Sequence, residues 1–248
     1  MTGGVAQPCD DCRVTAKPVH RHLRRLSTPR AAALAGVLFA LLFGAALILI
    51  RSALPEGAEP GSQWAVYGGP RIRLAAMLAP FAGIAFLWFI GVVRDGFGRY
   101  EDKFFSTVFI GSGLLFLAMM FAYMAVGVAL VHTGASPVID ATARTEVETF
   151  GQMLLLALGK TYALRMAAVF MISLATIWLK TGLMPRWLVL TTYATAVVLI
   201  IAADVSMWLT VAFPTWVLVV SLLLLSRNGV VDLHWGPDDE SVHQPKRT

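Results

Sequence analysis

Apolar residues in this chain come in long blocks rather than in alternation, over 31–50, 71–93, 105–131, 160–180, 187–203 and 207–225. Each block approaches the roughly 20 residues that a bilayer core demands of a helix. Lipid offers backbone groups no water to bond, so only helices or closed barrels can span it. Barrel strands alternate apolar and polar residues over about ten positions, and these blocks do not. The pattern predicts an all-α fold, a polytopic transmembrane bundle of six spanning helices.

The polar stretches between the blocks set the limits of each element. Residues 1–30 are basic and carry Gly3, Gly4, Pro8 and Pro18, which oppose a packed core and predict a disordered cytoplasmic tail. The block at 31–50 is longer than a secretory leader's apolar region, and Ile50-Arg51-Ser52-Ala53 is a poor cleavage site, so helix 1 is expected to stay in place. Ser27, Thr28 and Pro29 supply cap and first-turn chemistry. Residues 51–70 read as a loop with Trp64 and Tyr67 as interfacial anchors. Helix 2 is expected after Pro70, with a kink at Pro80. A loop at 94–103, an acidic loop at 132–148 and a tail at 227–248 complete the connections.

The fourth block has a length problem. One helix over 146–180 would be about 50 Å long, too long for a bilayer. The expectation is a spanning part at 160–180, an extracytoplasmic or interfacial extension at 146–158, and a break at Gly159.

Charge fixes the orientation. Of the 20 lysines and arginines, only Arg51, Arg71, Arg73 and Arg144 flank the ends opposite the tails, and Lys160 and Arg165 lie inside a block. The rest gather in the two tails and in the loops at 94–103 and 180–186. Excess Lys and Arg mark the cytoplasmic side, so both termini are expected in the cytosol and the protein in the inner (plasma) membrane. The composition agrees: 57% hydrophobic and 14% charged, against about 25% charged for a soluble domain. The net charge of +5 suits an anionic leaflet. Nucleic acid is not an expected partner, because no basic stripe is interleaved with exposed aromatics.

The chemistry-bearing residues are few. Lys160 and Arg165 interrupt an apolar stretch, where an ion costs about 2.5–3.5 kcal/mol on insertion scales. At about 1.5 Å per residue, Arg165 lies about 22 Å and Lys160 about 30 Å above the inner end of the fourth block. Asp204 lies about 26 Å above Trp187 on the same basis, so the depths permit pairing. Two readings stand. Lys160, Arg165, Asp204 and Tyr162 form a polar binding site, with Glu146, Glu148, Gln152 and Thr161 as further members. Alternatively, both cations snorkel to the headgroups and Asp204 caps the next helix.

On helix 1, Ala32, Gly36, Ala40 and Gly44 recur every four residues and make a close-packing face. It serves either the chain's own bundle or a seam with a partner or second copy. Cys9, Cys12, His20 and His22 offer four ligands in the tail, the one place where zinc is a possible cofactor. The His-x-His spacing is shorter than usual, and the competing reading is a free, reduced cysteine pair. No histidine lies in a block, so a haem held by two histidines inside the bundle is excluded.

The runs FAGIAFLWFIGVVRD (81–95), FIGSGLLFLAMMF (109–121), YALRMAAVFMISLATIWLKTGLMPRWL (162–188) and AFPTWVLVVSLLLL (212–225) resemble a family of six-helix bacterial, mainly actinobacterial, membrane proteins. The resemblance covers helix 2 to helix 6, takes in Arg165 but not Lys160, and implies a fold without an activity, cofactor or site. The functional expectation is a non-enzymatic accessory or scaffold subunit that meets the lipid bilayer and a protein partner. A small permease or channel-like carrier with a polar site near the outer leaflet is the alternative. A membrane enzyme is the third class, and no nucleophile–base pair or metal set reaches a common depth to support it.

Overall fold

A computed structural model describes residues 28–53, 64–96, 103–134, 136, 140–182, 184–202 and 209–231. The helices are α1 (Thr28–Ala53), α2 (Trp64–Gly96), α3 (Lys103–Gly134), α4 (Ala141–Leu156), α5 (Leu164–Thr181), α6 (Arg186–Ile201) and α7 (Leu209–Val231). A π-helical segment, Ala157–Ala163, fuses α4 and α5 into one rod. There is no strand among the described residues. Five helices are long and apolar enough to cross a membrane: α1, α2, α3, the fused rod and α7. α6 is apolar but has only 16 residues.

The side chains are distributed for lipid. Leu34, Met77, Trp88, Phe150, Leu190 and Ile201 all point outward, and apolar surface on that scale marks contact with a membrane. Inside, the core is aromatic. The Phe86 ring of α2 packs on Phe39 of α1 at 4.5 Å, Phe170 of α5 at 5.3 Å, Phe116 of α3 at 5.8 Å and Phe213 of α7 at 5.8 Å. Lipid tails are as apolar as these rings, so the rings hold the bundle by dispersion and close fit rather than by leaving water.

The helices lie in an arc. α1 packs between α2 and α7, α3 between α2 and the rod, and α5 between α3 and α6. The arc ends at α6 and α7. There Trp216 Nε1 donates to Thr192 Oγ1 at 3.0 Å, across a seam that is otherwise open.

Small residues set the tightest crossings. A Cβ on Gly36 would fall on Ser221 Oγ of α7 and lie 2.8 Å from Phe89 Cδ2 of α2. A Cβ on Gly113 of α3 would lie 2.7 Å from Ile90 Cδ1. Without a Cβ the backbones approach closely.

Several element limits differ from the sequence expectation. α2 begins at Trp64 and runs through Pro70. Its first turns are held by packing: a Cβ on Gly68 would lie 2.9 Å from Ala53, and one on Gly69 would lie 3.1 Å from Val131. The rod begins at Ala141, because the Asp140 side chain accepts from Thr142 N at 3.2 Å and caps it. Gly159 does not break the rod. It lies inside the π segment, where an added Cβ would meet the Tyr123 ring at 3.1 Å. The glycine is used for its small size, not its flexibility. The rod's 41 residues make it about 60 Å long at 1.5 Å per residue, about twice the hydrocarbon thickness of about 30 Å. Its α4 part leans on α3, where Gly151 meets Leu130. The rod ends at Gly182, whose φ of 65° is left-handed and whose N–H donates to Trp178 O at 2.9 Å.

Candidate functional site

Polar groups converge at the end of the bundle where α1, α3 and the α4 half of the rod lie together with the start of α7. Arg51, two residues before the end of α1, is only 9% exposed. Its Nη2 donates to Thr210 Oγ1 of α7 at 3.2 Å, while Nε and Nη1 have no hydrogen-bond partner. On α3, Tyr123 is 1% exposed, and its hydroxyl also has no partner.

The α4 half of the rod adds an inward stripe. Glu148 is 3% exposed, Gln152 follows four residues on, and Leu155 three after that. Leu155 lines a small apolar void with Tyr123, Ile50, Ile72 and Gly127. That void brings α1, α2, α3 and the rod to one place, one helical turn below Gln152. The Gln152 side-chain nitrogen is buried without a partner.

Arg51, Tyr123 and Gln152 are therefore three buried donors on three helices, with the buried carboxylate of Glu148 one turn above Gln152. An ionised group so placed is expensive unless it is paired and hydrogen-bonded. The arrangement concentrates charge and donor capacity beneath one end of an apolar bundle.

The cations that stood out in the sequence sit lower, around the π segment. Lys160 is half-buried and Tyr162 is 55% exposed, pointing outward. Arg165 is half-buried, and its Nη1 donates to Thr161 O at 2.9 Å. A π segment leaves carbonyls out of the regular i→i−4 ladder. Arg165 thus bonds a carbonyl of the irregular turn just before it. Asp204 lies outside the described residues, as do Cys9, Cys12, His20 and His22. Among the described residues no three His, Cys, Asp or Glu side chains are grouped as a metal would need.

On α1, Gly36 faces α7 and α2 inside the bundle, Ala40 is buried, and Gly44 has open space around it. The side chain of Ala32 lies outside the described residues. The outward face of α1 is instead large and apolar, with Leu34, Leu38, Leu41 and Ile48 exposed.

In the sequence, Glu148 and Gln152 group with Lys160, Arg165 and Asp204; the structure sets Gln152 one turn from the void shared with Tyr123. Arg51, Tyr123 and Thr210 are not in that group. Arg51 reads as an ordinary positive flank, Tyr123 as one more aromatic in an apolar run, and Thr210 as one hydroxyl among many. A signal for Arg51 was available, since it follows an unbroken apolar block with no polar residue before it. Comparison with protein-family models, curated proteins and solved structures finds no match to this chain.

Proposed function

We propose that this chain is a non-enzymatic integral membrane protein, an accessory or scaffold subunit of an inner-membrane assembly. In this reading six helices cross the bilayer and both termini lie in the cytosol. One observation carries it. Arg165, the cation placed best for a transport site, donates to the Thr161 carbonyl of its own helix at 2.9 Å. That N–H group is bound within the rod itself. The orientation rests on Arg94, Lys180 and Arg186 at one end of the helices and Arg51, Arg71 and Arg144 at the other. α6 is about 24 Å long and crosses with Arg186 snorkelling to the headgroups and the bilayer thinned locally. The partner surface is the outward face of α1, where Leu38 and Leu41 stand exposed on one side.

The test is photo-crosslinking in native membranes from probes at Leu38 and Leu41, with probes at Leu190 of α6 as control. A discrete protein adduct from α1 and none from Leu190 supports the subunit reading. Lipid adducts alone from both positions overturn it.

The buried donors Arg51, Tyr123 and Gln152 favour a second reading, a small carrier whose polar site lies at the outer end. Under that reading Arg51→Gln and Tyr123→Phe abolish solute flux in proteoliposomes while the protein still folds. Under the scaffold reading no such flux exists to lose.

A further inference from the structure

The open seam between α6 and α7 is a groove of about 1020 Å³, lined by Trp187, Thr191, Thr195, Thr215, Trp216 and Val219 among others. We propose that it binds one anionic phospholipid, with the hydrocarbon lying along the groove and the phosphate beside Arg186. This inference stands on the membrane fold alone and is independent of whether the chain is a subunit or a carrier.

The walls argue for hydrocarbon. The three threonine hydroxyls at the surface of the groove are all spent inside their own helices. Thr191 donates to Leu188 O at 3.0 Å, Thr195 to Thr191 O at 2.8 Å and Thr215 to Val211 O at 2.8 Å. Their hydroxyl protons are therefore not offered to a ligand in the groove. Its floor is closed by Trp216, whose N–H is taken by Thr192. The middle of the groove therefore offers no donor to a polar ligand.

The shape suits an extended chain. The groove runs from Trp187 to Ala202, about 22 Å at 1.5 Å per residue, so a hydrocarbon chain can lie along it.

The charge argues for an anionic head. Arg186, exposed, precedes Trp187 at one mouth of the groove, and Trp187 is itself exposed, as residues at the headgroup level are. Arginine matches phosphate with a two-pronged donor geometry, and in a lipid of net negative charge no headgroup cation offsets that attraction.

The experiment uses the full chain in nanodiscs of either pure phosphatidylglycerol or pure phosphatidylcholine. After release into mild detergent, native mass spectrometry counts retained lipids. The expected result is one retained phosphatidylglycerol per chain, with at least fivefold less retention of phosphatidylcholine. Arg186→Gln should lower phosphatidylglycerol retention to the phosphatidylcholine level. Thr215→Phe, which fills the groove from an exposed position, should lower both. Should Thr215→Phe fail to fold, Thr195→Phe fills the facing wall in its place. Equal retention of the two lipids by the wild type overturns the proposal. So does undiminished retention in the groove-filled variants, or a dimer mass that those variants abolish, which would mark a second copy as the occupant.

Discussion

Gly36→Ala is the sharpest test of how this bundle is held together. The added Cβ would fall on Ser221 Oγ and lie 2.8 Å from Phe89 Cδ2. Neither neighbour has room to yield, since both Ser221 and Phe89 are fully buried. Overpacking of this kind costs about 1–3 kcal/mol. Against it stands the gain in helix propensity from Gly to Ala, about 0.5–1 kcal/mol. The net expectation is destabilisation of about 1–2 kcal/mol. Gly44, two turns further along the same helix, supplies the control, because nothing lies within 4 Å of its added Cβ. Gly44→Ala should therefore show the propensity gain alone and stabilise by up to about 1 kcal/mol. The two variants carry the same chemical change on one helix and should differ by about 2 kcal/mol, with opposite sign. Adding Ser221→Ala to Gly36→Ala removes the closest clash and should recover part of the loss, with a coupling energy of order 0.5–1.5 kcal/mol. The assay is reversible SDS-induced unfolding in mixed micelles, followed by tryptophan fluorescence. Equal shifts for Gly36→Ala and Gly44→Ala would refute the claim that Gly36 is the contact point of α1 with α7. A change in oligomer mass without a change in stability would instead place that face between chains.

Two further outcomes follow from named hydrogen bonds. Arg165→Met removes the donor to Thr161 O, and a hydrogen bond to a charged group is worth about 1.5–3 kcal/mol. It should destabilise by about 1–2 kcal/mol in the same unfolding assay, while Lys160→Met stays within about 0.5 kcal/mol of wild type as a snorkelling cation would. Trp216→Phe removes the donor to Thr192, whose own hydroxyl keeps its bond to Leu188 O at 2.8 Å. The cost should be about 1 kcal/mol or less, seen as faster hydrogen exchange confined to α6.

The apolar blocks were legible because a membrane helix announces itself along one dimension. Which face of each helix turns inward was not. In a soluble helix the polar face points the way, but α1 carries Leu34 and Leu38 outside and Phe39 and Phe43 inside. Apolar residues occupy both faces, and only the neighbours decide. Arg51 shows the consequence. Its distance from the end of α1 could be counted in the sequence, yet its burial depends on Thr210, 159 residues away. The rod shows another limit. A regular helix through Lys160 and Arg165 places them by a fixed 100° step, but the π segment at 157–163 inserts an offset. Tyr162, taken with those cations as one site, faces outward as a result. Gly159 is a true signal, but of close packing rather than of a break. Its reason lies on another helix, in the Tyr123 ring.

Hydrogen bonding divides the molecule in a way that bears on what it can exchange. Most hydroxyls in the helices are internal: Ser112 donates to Val108 O, Ser173 to Val169 O and Thr181 to Ile177 O. Such bonds satisfy the group but join nothing. Some side-chain pairs among the described residues reach between helices. Thr176 and Tyr193 share a bond of 2.7 Å between α5 and α6, Trp216 and Thr192 join α7 to α6, and Arg51 and Thr210 join α1 to α7. All three lie on α6 or α7. The opposite side, α1 with α2 and α3, is held largely by glycines and phenylalanines, with Arg71 Nη1 also donating to Ser52 O at 3.4 Å between α2 and α1. Interhelical hydrogen bonds in a bilayer average about 0.6 kcal/mol, whereas a close-packed aromatic contact adds about 0.5–1.5 kcal/mol beyond its area, and the aromatic contacts here are many. The α6–α7 edge is therefore the weaker joint, pinned at single points along an open groove. A membrane protein that must admit a lipid tail needs one edge of this kind and one rigid wall behind it. The Trp216–Thr192 bond is the polar pin of that thinly packed edge.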